Sequence, residues 1–204
     1  MIAIVDYGVG NLFSLRSSLC SLGAEVLVTG DADALRRADR ILLPGVGAFA
    51  DAAAKLRKTG LDQAVTEAAQ AGVPLLGICL GMQLLLERSF EYGEHRGLGL
   101  IPGDVVSMEP VVPKHYKIPH IGWNALHFPA GRPRSPIFRD VREGEYVYFV
   151  HSYYADRCPD VTAVAEYGAD LTAAVGRENI FGCQFHPEKS GAAGLSILRA
   201  FCEL

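Results

Sequence analysis

The run Ile2 to Asp6 is apolar until it meets an acid and then glycines, the pattern of a buried parallel strand whose carboxyl end points at a site. Leu12, Leu15, Leu19 and Leu22 then recur at helical spacing, and Gly23 is a natural stop. "AEVLVTG" reads as a second strand and "RILLPGVG" as a third that breaks at Pro44. Between them, "DADALRRAD" can begin with Asp31 or Asp33 as an N-cap. The alanine-rich segment 48–71, interrupted at Gly60, predicts two helices. "VPLLGI" predicts a fourth strand that runs directly into Cys79 and the helix "LGMQLLLERS". Strands alternating with helices predict a parallel sheet covered on both faces.

The texture changes at Gly103. Short β-rich runs follow, "GDVVSME", "WNALHF", "EYVYFV", "VTAVAEY", "LTAAV" and "IFGCQF", and predict antiparallel additions to the same sheet. A helix from Gly194 to Cys202 closes the chain. No repeat, low-complexity tract or linker divides it. The expectation is an α/β fold: a doubly wound, mixed but mostly parallel sheet with helices on both faces, antiparallel strands in the C-terminal half, and one domain over 1–204.

Composition removes several function classes. Half the residues are hydrophobic and 21% charged, as in an ordered globular chain. A net charge of −4 and a pI near 5.9 argue against a nucleic-acid partner. The five cysteines are widely spaced with no C-x-x-C pair, so neither a disulfide framework nor a zinc site is expected. His95, His115, His120, His127 and His151 show no metal-ligand spacing, and no cofactor is expected. The start "MIAIVDYGVG" has no basic targeting region and no run approaches a membrane span, so the expectation is a cytoplasmic protein.

The chemistry concentrates at "GICLG". A nucleophile between glycines at a strand-to-helix turn stands exposed at the sheet edge. There the first turn of the helix favours a thiolate, and the Leu80 N–H can donate to an oxyanion. A thiol needs a base, and the base an orienter. "FGCQFHPEKS" offers His186 and Glu188 at i and i+2, one side of an extended stretch, with Pro187 favouring that extension. By strand alternation Cys183 faces away from His186 and belongs to the core. Taken alone, His-Pro-Glu reads as an ordinary turn and the cysteine as a nucleophile or, failing that, a buried residue in a tight turn; the two together read as a triad. In "LLPGVGAF", Gly45 and Gly47 let backbone N–H groups approach a ligand, or else form a simple strand-helix turn. The third glycine of a dinucleotide fingerprint and the lysine of a phosphate loop are both missing.

"PGVGAF", "GICLGMQLLLE", "GLGLIPG" and "HPEKS", in this order and at these separations, resemble the class I (triad-type) glutamine amidotransferases over nearly the whole chain, a family with a flavodoxin-like fold. Three further stretches, "DYGVGNLFSL", "PHIGWN" and "YFVHSYY", resemble the glutaminase subunits of imidazole glycerol phosphate synthases. The resemblance implies that Cys79 attacks the carboxamide of glutamine, His186 protonates the departing ammonia, and Glu188 holds His186. It further implies an oxyanion hole from the backbone around Val46, Gly47 and Leu80, and glutamine binding by Gly45, Gln83, Ser152 and Tyr153. Gln83, four residues after Cys79, shares its helical face. The implied partner is a cyclase subunit with a (β/α)8 barrel, which takes ammonia through a dry channel in a heterodimer. Asn11, Trp123, Tyr148 and Lys189 are implied at the docking face, although Tyr148 and Trp123 also fit core aromatics and Lys189 a solvated lysine. Two other readings stay open: the glutaminase of another triad amidotransferase, such as pyridoxal phosphate synthase, and a stand-alone cysteine hydrolase.

Overall fold

The computed structural model describes residues 1–204. From the N-terminus the chain runs through β1 (Ile2–Val5), α1 (Leu12–Ser21), β2 (Val26–Thr29), α2 (Ala32–Arg36), β3 (Arg40–Gly45), α3 (Phe49–Thr59), α4 (Leu61–Gln70), β4 (Leu75–Cys79) and α5 (Leu80–Leu85). It continues through β5 (Arg88–Ser89), β6 (His95–Arg96), β7 (Asp104–Ser107), β8 (His120–Ala125), β9 (Tyr146–His151), β10 (Tyr153–Asp156), β11 (Val161–Glu166), β12 (Asp170–Arg177) and β13 (Ile180–Cys183) to α6 (Gly191–Cys202).

Seven strands form the central sheet in the order β11-β12-β13-β4-β3-β1-β2. The five from β13 to β2 are parallel, and β12 and β11 extend the edge antiparallel. Alternation along the parallel strands divides two cores. Ala3, Val5, Ile41 and Leu43 pack with α2, α3 and α4 residues such as Leu35, Phe49, Leu56 and Val65. Ile2, Ile4, Leu42 and Leu76 pack with Leu15 and Leu19 of α1 and Ile197 and Phe201 of α6. Each of the larger side chains contributes about 1.5–3 kcal/mol on burial, and both faces of the sheet are covered.

Local signals account for most boundaries. Asn11 caps α1, its side-chain oxygen accepting from Ser14 N–H at 3.3 Å, and Gly23 follows with φ 81°. Of the two candidate caps for α2, Asp31 takes the role and accepts from Asp33 N–H at 3.0 Å. Gly60 parts α3 from α4 in the left-handed region.

Four expectations need correction. The third strand does not break at Pro44: it continues to Gly45, with Pro44 opposite Ile78 and Gly45 opposite Cys79. The helix after Cys79 ends at Leu85 rather than Ser89, because Arg88 and Ser89 pair with β6 and β7 and Arg88 is bound to Asp104 at 3.0 Å. Three of the six later runs leave the main sheet. "GDVVSME" joins a four-stranded sheet, order β10-β7-β5-β6, and "WNALHF" and "EYVYFV" form the separate pair β8-β9. "IFGCQF" does enter the main sheet, but its bond to β4 is parallel. No helix is long and apolar enough to cross a membrane.

Candidate active site

The carboxyl ends of β1, β3, β4 and β13 converge on one edge of the sheet, and the first turn of α5 begins there. Cys79 carries the bend itself, with φ 55° and ψ −112°, a conformation costly for a residue with a Cβ. The flanking glycines serve closeness rather than the bend. A Cβ on Gly81 would lie 1.7 Å from Leu43 O, and one on Gly77 2.7 Å from the Gly81 backbone. So α5 sits directly on β3 and β4, and the cysteine is pushed up at the edge. Tyr7, at the end of β1, supports the neighbouring loop through a 2.8 Å hydrogen bond to Pro44 O; burial and the nearby Cys79 push its phenol up.

His186 arrives in extended backbone, φ −98° and ψ 98°, as the following proline favours. Glu188 does not continue that extension: Pro187–Lys189 is a 3-10 turn, and the turn brings the carboxylate back to the ring. Glu188 Oε1 lies 2.8 Å from His186 Nδ1, and both side chains are 3% exposed, so solvent does not compete for the pair. His186 Nε2 is buried with no other partner, which leaves it for the Cys79 thiol. Burial alone would disfavour the imidazolium, but hydrogen bonding to Cys79 and Glu188 and their charges raise His186 to about 9. At neutral pH the ring carries both protons.

A cavity of about 570 Å³ opens beside these groups. Cys79, Leu80, Gln83, His186, Val46, Gly47, Ser152 and Tyr153 line it; Glu188 stands behind His186. Gly45 is not on the wall. It is packed against Tyr7, Leu80 and Gly81, with the Tyr7 hydroxyl 2.8 Å from where its Cβ would be, so its smallness serves packing. Cys183 is fully buried in the core, as alternation requires. The docking candidates Trp123, Tyr148 and Lys189 are clustered: the two aromatic rings meet edge-on at 6.0 Å and Lys189 Nζ lies 5.8 Å from the Tyr148 ring. Tyr148 carbonyl also accepts from His186 N–H at 2.9 Å, so this cluster adjoins the triad loop. Asn11 is occupied as a helix cap.

Sequence reasoning missed several wall residues. Glu91, Tyr92, Ser107, Glu109, Ile118 and His151 all face the cavity. Glu91 and Glu109 follow β5 and β7, parallel neighbours, and only that pairing brings them together. Glu91 also accepts from the first N–H of α3, at Phe49. Gln184 was missed too, although it stands two residues before His186 and alternation puts both on one side. A hydrogen-bonded chain runs from it: Gln184 Nε2 lies 3.8 Å from Cys79 Sγ, and its Oε1 accepts from Gln83 Nε2 at 3.0 Å. Gln83 Nε2 also donates to Tyr153 O at 3.1 Å, and His151 Nδ1 reaches that carbonyl at 2.9 Å. Burial holds His151 down to about 3, so the ring is neutral and its Nδ1–H is the donor. His151 Nε2 meets His120 Nδ1 at 3.1 Å, and His120 stacks between Phe149 and Tyr167.

The family model "Glutamine amidotransferase class-I" matches residues 3–203. The chain is a class I glutamine amidotransferase. Among its relatives, proteins named imidazole glycerol phosphate synthase subunit HisH are 50% identical in Geobacillus thermodenitrificans (98% of this chain, 94% of the relative), 46% in Caldanaerobacter subterraneus (100% and 98%) and 44% in Wolinella succinogenes (100% and 100%). Two solved structures share the fold of this amidotransferase. One is described as a glutamine amidotransferase (TM-score 0.76, 18% identity, all of both chains), and the other is PurLQS from Thermotoga maritima (TM-score 0.77, 20% identity, 99% of this chain and 97% of that one).

Proposed function

We propose that this amidotransferase, as one domain over residues 1–204, is the glutaminase subunit of an imidazole glycerol phosphate synthase in histidine biosynthesis. The observation that carries the reading is full-length identity of 44–50% to subunits of that name, in a chain whose Cys79 and His186 line one cavity with Glu188 bound to His186 Nδ1 behind it.

The chemistry follows from the protonation states. The His186 imidazolium stabilises Cys79 as thiolate, which attacks the side-chain carbonyl of glutamine. Negative charge develops on the carbonyl oxygen, beside the Leu80 N–H, which has no intrahelical acceptor, and the amides near Val46 and Gly47. His186 Nε2 gives its proton to the departing nitrogen, so ammonia leaves and a glutamyl thioester remains. Water then attacks the thioester, losing a proton to Nε2, and glutamate is released with the thiolate restored. Glu188 keeps Nδ1 protonated throughout, fixing the ring orientation. Glu91 and Glu109 fit the α-ammonium of the substrate, and Ser152 and Tyr153 its backbone end; no lysine or arginine lines the cavity.

Released ammonia would become mostly ammonium in water and lose its nucleophilicity. A partner cyclase with a (β/α)8 barrel, docked over Trp123, Tyr148 and Lys189, would receive it dry. The test is glutamate release from glutamine by the purified chain, alone and with the cyclase and its nucleotide. Strong stimulation by the partner supports the reading; full activity alone, unchanged by the cyclase, contradicts it.

A further inference from the structure

Gln184 is a primary amide with no exposed surface, held behind the cavity wall against Cys79 and Gln83. An amide in that position is costly unless its hydrogen bonds are made, and an apolar residue would satisfy the core better. Its location follows from register. Cys183, the last residue of β13, pairs with Ile78 in the parallel ladder with β4, so Gln184, next along the chain, comes beside Cys79. Its own N–H is tied to Ala173 O at 2.8 Å, which fixes the backbone.

The orientation of both amides is decided by one carbonyl. Tyr153 O can only accept, so the Gln83 atom 3.1 Å from it is nitrogen. That nitrogen also lies 3.0 Å from Gln184, so the facing Gln184 atom is oxygen, and the Gln184 nitrogen is turned to Cys79 Sγ. Both N–H groups of Gln83 are thereby consumed inside the protein. Its Oε1 is left without a protein partner, on the cavity wall.

We propose that Gln184 is a positioning residue for the glutaminase reaction: it locks Gln83 with its carbonyl oxygen toward the cavity and turns an N–H to the Cys79 sulfur. Two consequences follow. Gln83 can receive only a donor from the substrate, an N–H of the carboxamide or of the α-ammonium, and not a carboxylate oxygen. The sulfur receives a second donor, besides His186, when it is anionic.

The inference rests on the reading of Cys79 as the thiol that attacks glutamine, and the test separates the two. In the complex with cyclase and its nucleotide, wild type, Gln184→Met and Gln184→Glu are compared in melting temperature, KM and kcat for glutamine, and the pH midpoint of Cys79 alkylation by iodoacetamide, followed on the Cys79 peptide. Gln184→Met removes both functions, so the alkylation midpoint rises by about one pH unit and KM rises about tenfold. Gln184→Glu, isosteric, keeps an acceptor for Gln83 but sets an acid beside the sulfur. The midpoint rises again, while KM stays within about twofold of wild type. Melting temperatures lowered with midpoint and KM unchanged would mean a purely structural glutamine and overturn the proposal; if Gln184→Met does not fold, an unchanged midpoint in Gln184→Glu overturns it equally. A wild-type complex that releases no glutamate contradicts the glutaminase reading instead, and the alkylation midpoints still test Gln184.

Discussion

The inner and outer walls of the cavity are built on different principles. On the inner wall, Cys79 is 8% exposed, Gln83 6%, His151 7% and His186 2%, and each is fixed by β4, α5, β9 or the loop after β13 and by hydrogen bonds. On the outer wall, Tyr92 is 88% exposed and Glu109 is exposed too, and both lie in turns. The inner wall holds Cys79 and His186, whose protons and lone pairs take part in bond making, and the Gln83 and His151 side chains packed around them, where an ångström of freedom costs rate. The outer wall holds groups that meet substrate from solvent, where freedom permits entry. Substitutions therefore have different signatures: those that disturb Cys79 and His186 lower kcat or the fold, whereas those on the outer wall raise KM with kcat almost unchanged.

The largest effect is expected at Gly81. Gly81→Ala drives a methyl into Leu43 O, so α5 must lift off β3. A loss of about 3 kcal/mol or more is expected, with activity lost alongside, read from denaturant unfolding and glutamate release. Next comes Glu188→Gln, which removes the carboxylate from Nδ1 and permits the wrong tautomer. It should lower kcat by roughly 10²–10⁴ with a small change in KM.

The pH profile sharpens the same point. His186 is raised above its ordinary value, so the proton it gives to ammonia is present below about 9 and lost above it, and kcat/KM for glutamine should fall on that alkaline limb. The stability its partners supply is complete below the unfolded value and fades as pH rises through about 9. His151 works the other way. Its folded value of about 3 lies below the unfolded one, so the unfolded chain takes a proton the folded chain refuses, and this contribution to stability is lost as pH falls from 6.5 toward 3. His151→Gln should flatten that acid slope in melting temperature.

The smallest effects belong to the outer wall. Glu109→Gln should raise KM for glutamine several-fold, up to about tenfold, with kcat almost unchanged, by weakening the seat of the α-ammonium. An equal fall in kcat would break the division between the walls.

The N-terminal half was legible because its signals are local. Apolar runs, the Gly23 stop, the Gly60 break and the Asp31 cap are written within a few residues of where they act, whereas the Asn11 cap was not read. Pro44 misled because a proline is tolerated where its ladder position needs no N–H, and "LERS" because tertiary pairing with β6 and β7 outweighed helix propensity. The later strands carry the same alternation whichever sheet they join, so partner choice was invisible. The triad residues stood out through their spacing and chemistry. Gln184, Glu91 and Glu109 did not, because their partners lie far along the chain and only the register of β13 on β4 and of β5 on β7 brings them to the site.

The central claim, that Cys79 supplies ammonia to a second active site, is tested most directly with Cys79→Ala in complex with the cyclase. Imidazole glycerol phosphate synthesis is measured once with glutamine and once with ammonium salt at alkaline pH. Glutamine-dependent synthesis should vanish while ammonia-dependent synthesis stays near wild type. Loss of both, or survival of the glutamine-dependent reaction, would contradict the account.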